Sequence, residues 1–127
     1  MVFNEKNIKL IITGKALSKD NQKRGVGRGG GFYIRPQYRA YEEKVRFQAK
    51  AQLIGIKPFE GDLFVRFDFY FQNKKHCDLL NLPKSVCDAL NKIAWIDDRQ
   101  IKSSFLECFY DKENPRIEIF IKKIEQR

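Results

Sequence analysis

Between His76 and Ile101 the chain reads HCDLLNLPKSVCDALNKIAWIDDRQI, with Asp78 near its start, Lys84 and Asp88 inside it, and Asp97 and Asp98 near its end. These residue types suit one chemistry. Carboxylates are the oxygen ligands that a hard divalent cation takes, and an ammonium between them can offset charge developing on a phosphate. Outside this stretch the chain is basic, with a net charge of +9 overall, so acids gathered in a cationic protein point to metal held against a polyanion.

The pattern predicts one short helix opened by Asp78 and closed by Asp97 and Asp98. At about 100° per residue, Leu79, Leu82, Val86, Ala89, Leu90 and Ile93 form an apolar stripe, with Asn81, Lys84, Asp88 and Asn91 opposite it. Lys84 and Asp88 stand four apart and can pair, which alone stabilises a helix by only a few tenths of a kcal/mol and implies no function. Leu80 falls at the stripe edge towards Lys84, where a leucine ordinarily widens the packed face.

Other segments must position this helix. Asn7 to Thr13 is a β-branched apolar run suited to a buried strand. Gly14 to Gly31 holds six of the eight glycines together with Lys15, Lys19, Lys23, Arg24 and Arg28, without apolar periodicity, and predicts a flexible basic loop that orders on a phosphate backbone. In RAYEEKVRFQAKAQLI, from Arg39 to Ile54, the residues Tyr41, Val45, Phe47, Ala49, Leu53 and Ile54 recur at near-helical spacing, and Gly55 stops the pattern. Leu63 to Gln72 reads as a strand, with Phe67, Phe69 and Phe71 on its packed face and Arg66, Asp68, Tyr70 and Gln72 on the other. Asp68 is expected in a cross-strand ion pair. Gln100 to Tyr110 and Arg116 to Ile124 read as two strands joined as a hairpin by DKENP. The order β-α-β-α-β-β predicts an α+β domain with helices packed on a small mixed sheet.

Composition sets the outer bounds. A chain of 127 residues suits a single domain spanning residues 1–127. No apolar run approaches the roughly 18 residues of a membrane span, and the start reads as a first strand rather than a signal peptide. A cytoplasmic protein is expected. Cys77, Cys87 and Cys108 are odd in number and lack CxxC spacing, so reduced core thiols fit better than disulfides or a thiolate metal site that includes His76. Residues 1–50 carry 12 Lys and Arg against 4 acids, and residues 51–127 carry 13 against 12, so nearly all the positive charge belongs to the first part. Such asymmetry suits nucleic acid or anionic lipid, with a solvated basic face as the neutral alternative. Trp95, Phe32, Tyr33, Tyr38 and Tyr41 are expected in the core or an interface rather than stacked on bases.

The residues Asp78-Leu79-Leu80-Asn81-Leu82-Pro83-Lys84, then Asp88-Ala89-Leu90, then Asp97-Asp98-Arg99-Gln100-Ile101 resemble the RusA family of Holliday junction resolvases. The family signature reads D-x-D-N-x-x-K-x-x-x-D-x-L, followed by D-D-x-Q-V/I. Leu17, Ser18, Asn21 and Arg24, then Phe32 to Tyr41, resemble the family's N-terminal segment, without its usual proline. The resemblance implies Asp78 and Asp98 as metal-binding catalytic acids, Asp97 as a neighbouring metal-side acid, Lys84 as a cation near the scissile phosphate, and Asn81 and Asp88 as orienting residues. It further implies Mg²⁺ or Mn²⁺, a homodimer, and four-way DNA junctions cut in recombination and repair to ligatable ends. Bacterial or phage DNA is the expected setting, with neither a membrane nor a small-molecule substrate. Lys15, Lys19, Lys23, Arg24, Arg28 and Arg35 are the expected DNA contacts.

One residue departs from the pattern. Leu80 occupies the second Asp position of D-x-D-N, and leucine cannot bind metal. The alternative reading is therefore a catalytically impaired junction-binding protein. A third reading is a basic domain that binds RNA or protein.

Overall fold

The computed structural model describes residues 7–17, 23–25, 32–34, 36–74 and 79–125. Alternation along the chain becomes strand structure where it is strictest. β1 (Asn7–Thr13) turns Ile8, Leu10 and Ile12 inward, β4 (Leu63–Phe71) turns Leu63, Val65, Phe67 and Phe69 inward, and β6 (Arg116–Lys123) turns Ile117, Ile119 and Ile121 inward. A period of two places every second side chain on one face, which here is the face the helices cover. α1 (Pro36–Gln52) contributes Tyr38, Tyr41, Val45 and Ala49 to that layer, and α2 (Leu82–Leu90) contributes Leu82, Val86, Ala89 and Leu90. Phe47 and Ile54, expected on the apolar stripe of α1, are instead 75% and 82% exposed. Phe47 lies two residues past Val45, about 200° around the helix, and Ile54 follows the last helical turn.

The four-stranded sheet has the order β1-β6-β4-β5, where β5 is Ile101–Tyr110. β6 runs antiparallel to both β1 and β4, while β4 and β5 are parallel and joined through α2. A parallel pair needs such a crossover, and this one carries the candidate site. The mixed sheet and α+β class agree with expectation, but the hairpin between β5 and β6 does not form. β4 has the most strongly buried face and takes a central place, with a partner on each side, whereas no residue of β5 is fully buried and it takes the edge. The chain therefore crosses the end of β4: the Asp111 N–H donates to the Phe71 carbonyl at 2.8 Å, and the Asp111 carboxylate accepts from Arg116 Nη1 at 2.8 Å.

The other edge is capped by side chains. Gln52 of α1 accepts from the Ile11 N–H at 3.0 Å and donates to the Ile11 carbonyl at 2.7 Å; Gln48 does the same for Thr13 at 2.9 and 3.3 Å. Two amides thus take the place of a missing strand along β1, which blunts an edge that would otherwise pair with another chain. On the uncovered face, the Asp68 carboxylate accepts from Arg66 on its own strand at 3.0 Å, and Arg66 reaches Glu107 across to β5 at 3.4 Å. Asp68 is therefore paired along its strand, and the cross-strand partner is Glu107.

Part of the glycine-rich segment read as a loop is ordered into a ribbon: β2 (Lys23–Gly25) pairs antiparallel with β3 (Phe32–Ile34). Its root is anchored as well. Ala16 is buried, Leu17 packs against the core, and the Leu17 carbonyl accepts from the fully buried Ser85 hydroxyl at 2.8 Å. Among the described residues no helix is long and apolar enough to cross a membrane.

Candidate active site

α2 is shorter than the predicted acidic helix. A 3₁₀ turn, Leu79–Asn81, leads into it, Pro83 occupies its first turn, and it ends at Leu90, well before Asp97. Asn91 leaves helical geometry (φ −59°, ψ 132°) and Lys92 takes a left-handed φ of 70°. The chain reverses around Trp95, which is fully buried; its indole N–H donates to Asn91 Oδ1 at 2.8 Å, and its carbonyl accepts from the Lys92 N–H. Burying an indole while satisfying its only donor makes this reversal specific. Arg46 Nη1 reaches from α1 to the Ala89 carbonyl at 3.0 Å, one of the otherwise unpaired carbonyls at the end of α2. The apolar stripe is as predicted: Leu82, Val86, Ala89, Leu90 and Ile93 are buried and Leu79 is partly so.

Asp97 and Asp98 therefore stand on a separate element. The 3₁₀ turn Asp98–Gln100 begins with Asp97 as its N-cap, and Asp97 Oδ1 accepts from the Arg99 N–H at 2.8 Å and from Arg99 Nε at 3.2 Å. Those donors hold the Asp97 carboxyl below its ordinary range, the backbone N–H first and the guanidinium second. Asp98 goes the other way. Its burial, its hydrogen bond to Asp97 and the charges of Asp97 and Asp88 push its carboxyl up, against a weaker opposing pull from Arg99. Neighbouring carboxylates with divergent affinities for a proton are a recurrent arrangement in sites that hold cations or move protons.

The fold thus brings Asp88 on α2 close enough to Asp98 for their charges to interact, and both charges bear on the buried Cys87. Burial, then Asp98 and Asp88, raise that thiol to about 12, so it stays protonated and unreactive at neutral pH. Cys87 and Cys108 are free thiols, in line with the reduced reading; Cys77 and His76 lie outside the described residues. Lys84 is exposed in the first turn of α2, one turn before Asp88, and Asn81 is half-buried at the helix start. Leu80 is 81% exposed, so it does not widen the packed face as its place on the helical wheel implied. It lies in the 3₁₀ turn ahead of α2, where that wheel does not apply.

Asp78 lies outside the described residues, as do Lys19, Arg28 and Arg35. Lys15 is exposed, and Lys23 and Arg24 are carried on β2. Trp95, Tyr38 and Tyr41 belong to the core as expected. Asp98 offers a hard oxygen donor of the kind Mg²⁺ or Mn²⁺ takes, and a cation would relieve the repulsion that the charges of Asp97 and Asp88 exert on it. Among the described residues, however, no group of three or more His, Cys, Asp or Glu is placed to hold a metal ion.

The structure adds residues that the sequence reading did not assign to the site. Gln100 Oε1 accepts from the Ile96 and Asp97 N–H groups, each at 2.9 Å, and Gln100 Nε2 donates to the Phe59 and Gly61 carbonyls, each at 2.9 Å. One side chain ties the acidic turn to the entry of β4. The D-x-x-Q spacing of Asp97 and Gln100 is a capping-box signal that was open to reading. Ser85, with Tyr41 beside it, pins the root of the basic segment to α2, a long-range contact that left no local signal.

The family model for endodeoxyribonuclease RusA matches residues 14–122, from the root of the basic segment through nearly all of β6. No curated protein matches the chain. The match takes in both acidic elements, Lys84 and the ribbon, and covers most of the 127 residues, so the chain belongs to the RusA family of endodeoxyribonucleases.

Proposed function

We propose that the protein is a structure-selective endonuclease that resolves four-way DNA junctions, acting as a homodimer with a divalent metal ion. The observation that carries this reading is the match to an endodeoxyribonuclease family over residues 14–122, a span that takes in Asp88 and the Asp97–Asp98 turn. Asp98 and Asp78 are the residues that would hold Mg²⁺ or Mn²⁺, which when bound supplies Lewis acidity at the scissile phosphate. Asp97, occupied by Arg99, keeps the turn in shape and adds negative charge beside Asp98. Asp88 from α2 and Asn81 from the turn before it orient the site, and the Lys84 ammonium offsets charge on the phosphate. The basic segment supplies contacts to the sugar-phosphate backbone, which give strongly salt-dependent affinity.

The second reading, junction binding without cutting, is favoured by one observation. Leu80 stands exposed at the position where the family pattern carries an acid. A synthetic four-way junction incubated with Mg²⁺ or Mn²⁺ separates the two. Cleavage that disappears in Asp78→Asn and Asp98→Asn supports the nuclease. Tight junction binding with no cleavage by the natural chain, and cleavage gained in Leu80→Asp, supports the impaired form. No preference for junction over linear duplex in any of these proteins sinks both.

A further inference from the structure

We infer that Gln100 is a positioning residue for the acidic turn, setting the Asp98 carboxylate in the place where a divalent cation is taken up. This rests on the nuclease reading above and adds a residue to it. The geometry is unusually complete for a side-chain amide at a partly open site. Both functions of the amide are used twice, with all four bonds at 2.9 Å: the oxygen receives the N–H groups of Ile96 and Asp97, and the nitrogen donates to the carbonyls of Phe59 and Gly61. Only a group that accepts at one end and donates at the other can bridge these partners, because the acidic turn presents N–H groups and the β4 entry presents carbonyls.

The bridge spans about 40 residues of sequence and joins segments that are otherwise held through the Phe59 N–H bonded to the Ala94 carbonyl at 2.9 Å. All four bonds of the Gln100 amide run to backbone groups, and none of these is Asp98's. It acts through the backbone on which Asp97 and Asp98 stand. Without the bridge, Asp97 and Arg99 still form their local cap, and the turn is tied to β4 through its flanks, the Phe59–Ala94 bond before it and the pairing of Ile101 with Leu63 after it, but no longer through its own N–H groups. Residues that orient metal ligands without binding the metal typically contribute about 10- to 100-fold in affinity or activity.

The test is Mn²⁺ binding by the full chain, read from the free-Mn²⁺ electron paramagnetic resonance signal without DNA, alongside junction affinity in EDTA and amide hydrogen exchange at Ile96 and Asp97. Gln100→Met removes all four bonds at nearly constant volume; Gln100→Asn keeps the amide one methylene too short and guards against a misfolded first variant. Ile12→Val, a mild core change in β1, controls for destabilisation as such. Expected are Mn²⁺ binding weakened about tenfold or more in Gln100→Met and less in Gln100→Asn, faster exchange at the two amides, unchanged junction affinity in EDTA, and no change in Mn²⁺ binding for Ile12→Val. Equal Mn²⁺ binding by the natural chain and both Gln100 variants overturns the positioning role alone. A natural chain that binds no Mn²⁺ overturns it together with the metal-dependent reading.

Discussion

Leu80 is the residue that separates the two proposed readings, and its surroundings make it testable. At 81% exposed it contributes little to the core, so Leu80→Asp should change stability by no more than about 0.5 kcal/mol, the usual range for surface positions. Denaturant midpoints for the two proteins check this, and a drop of about 2 kcal/mol or more would show that Leu80 packs against something. Any change in cleavage can then be assigned to the carboxylate itself. Tyr41 gives a prediction of another kind. Burial pushes its phenol up to about 12. The folded chain therefore keeps a proton that the unfolded chain releases near pH 10, and the stability this contributes is present below pH 10 and lost as pH rises through about 12. Tyr41→Phe should melt at nearly the natural temperature at pH 7 and above it at pH 11. Melting curves that stay parallel across this range would remove Tyr41 as the cause.

At the scale of elements, the acidic turn depends on the reversal that precedes it. Trp95 fills the core completely, ties back to Asn91 and sits beside Phe59, so Trp95→Ala should cost about 3 to 5 kcal/mol and appear as an earlier urea midpoint. A cost below about 1 kcal/mol would mean that the reversal holds without its aromatic anchor. The helix itself was legible in the sequence because an apolar stripe is a local, periodic signal, and five of its six stripe residues are buried. Its C-terminal boundary was not legible. What ends α2 at Leu90 is the later Trp95 folding back on Asn91, and a stripe that continued to Ile93 concealed that break.

The molecule as a whole is polarised, with a net charge of +8 in residues 1–50 and +1 in residues 51–127 (12 − 4 and 13 − 12). A nuclease for branched DNA should therefore lose junction affinity steeply with salt. For duplex DNA the slope of log affinity against log salt is about −0.9 per phosphate neutralised, so Lys23→Ala combined with Arg24→Ala should flatten it by about one to two. Fluorescence anisotropy from about 50 to 200 mM salt measures the slope. An unchanged slope would take the β2–β3 ribbon out of the DNA contact. The charges of the uncovered sheet face follow a different logic. Arg66 pairs with Asp68 and Glu107, and Arg116 with Glu118 and Asp111, so these arginines are already engaged within the chain.

The sequence by itself determined what local chemistry determines: the order of the main elements, the inward faces of β1, β4 and β6, the helical stripe of α2 and four of the six residues expected on that of α1, and the presence of acids and a lysine in a basic chain. Period and residue type act over a few neighbours, so they survive in a string of letters. Tertiary structure decided which strands meet and where the acids stand. β4 took the centre of the sheet because it had the most apolar surface to bury, which separated β5 from β6 and undid the expected hairpin. Asp88 came within range of the charge on Asp98 because the chain reversed on Trp95, and Gln100 tied the acidic turn to a β4 entry about 40 residues away in sequence. Such contacts are set by competition for burial and hydrogen bonds across the whole chain, and no short segment records its outcome.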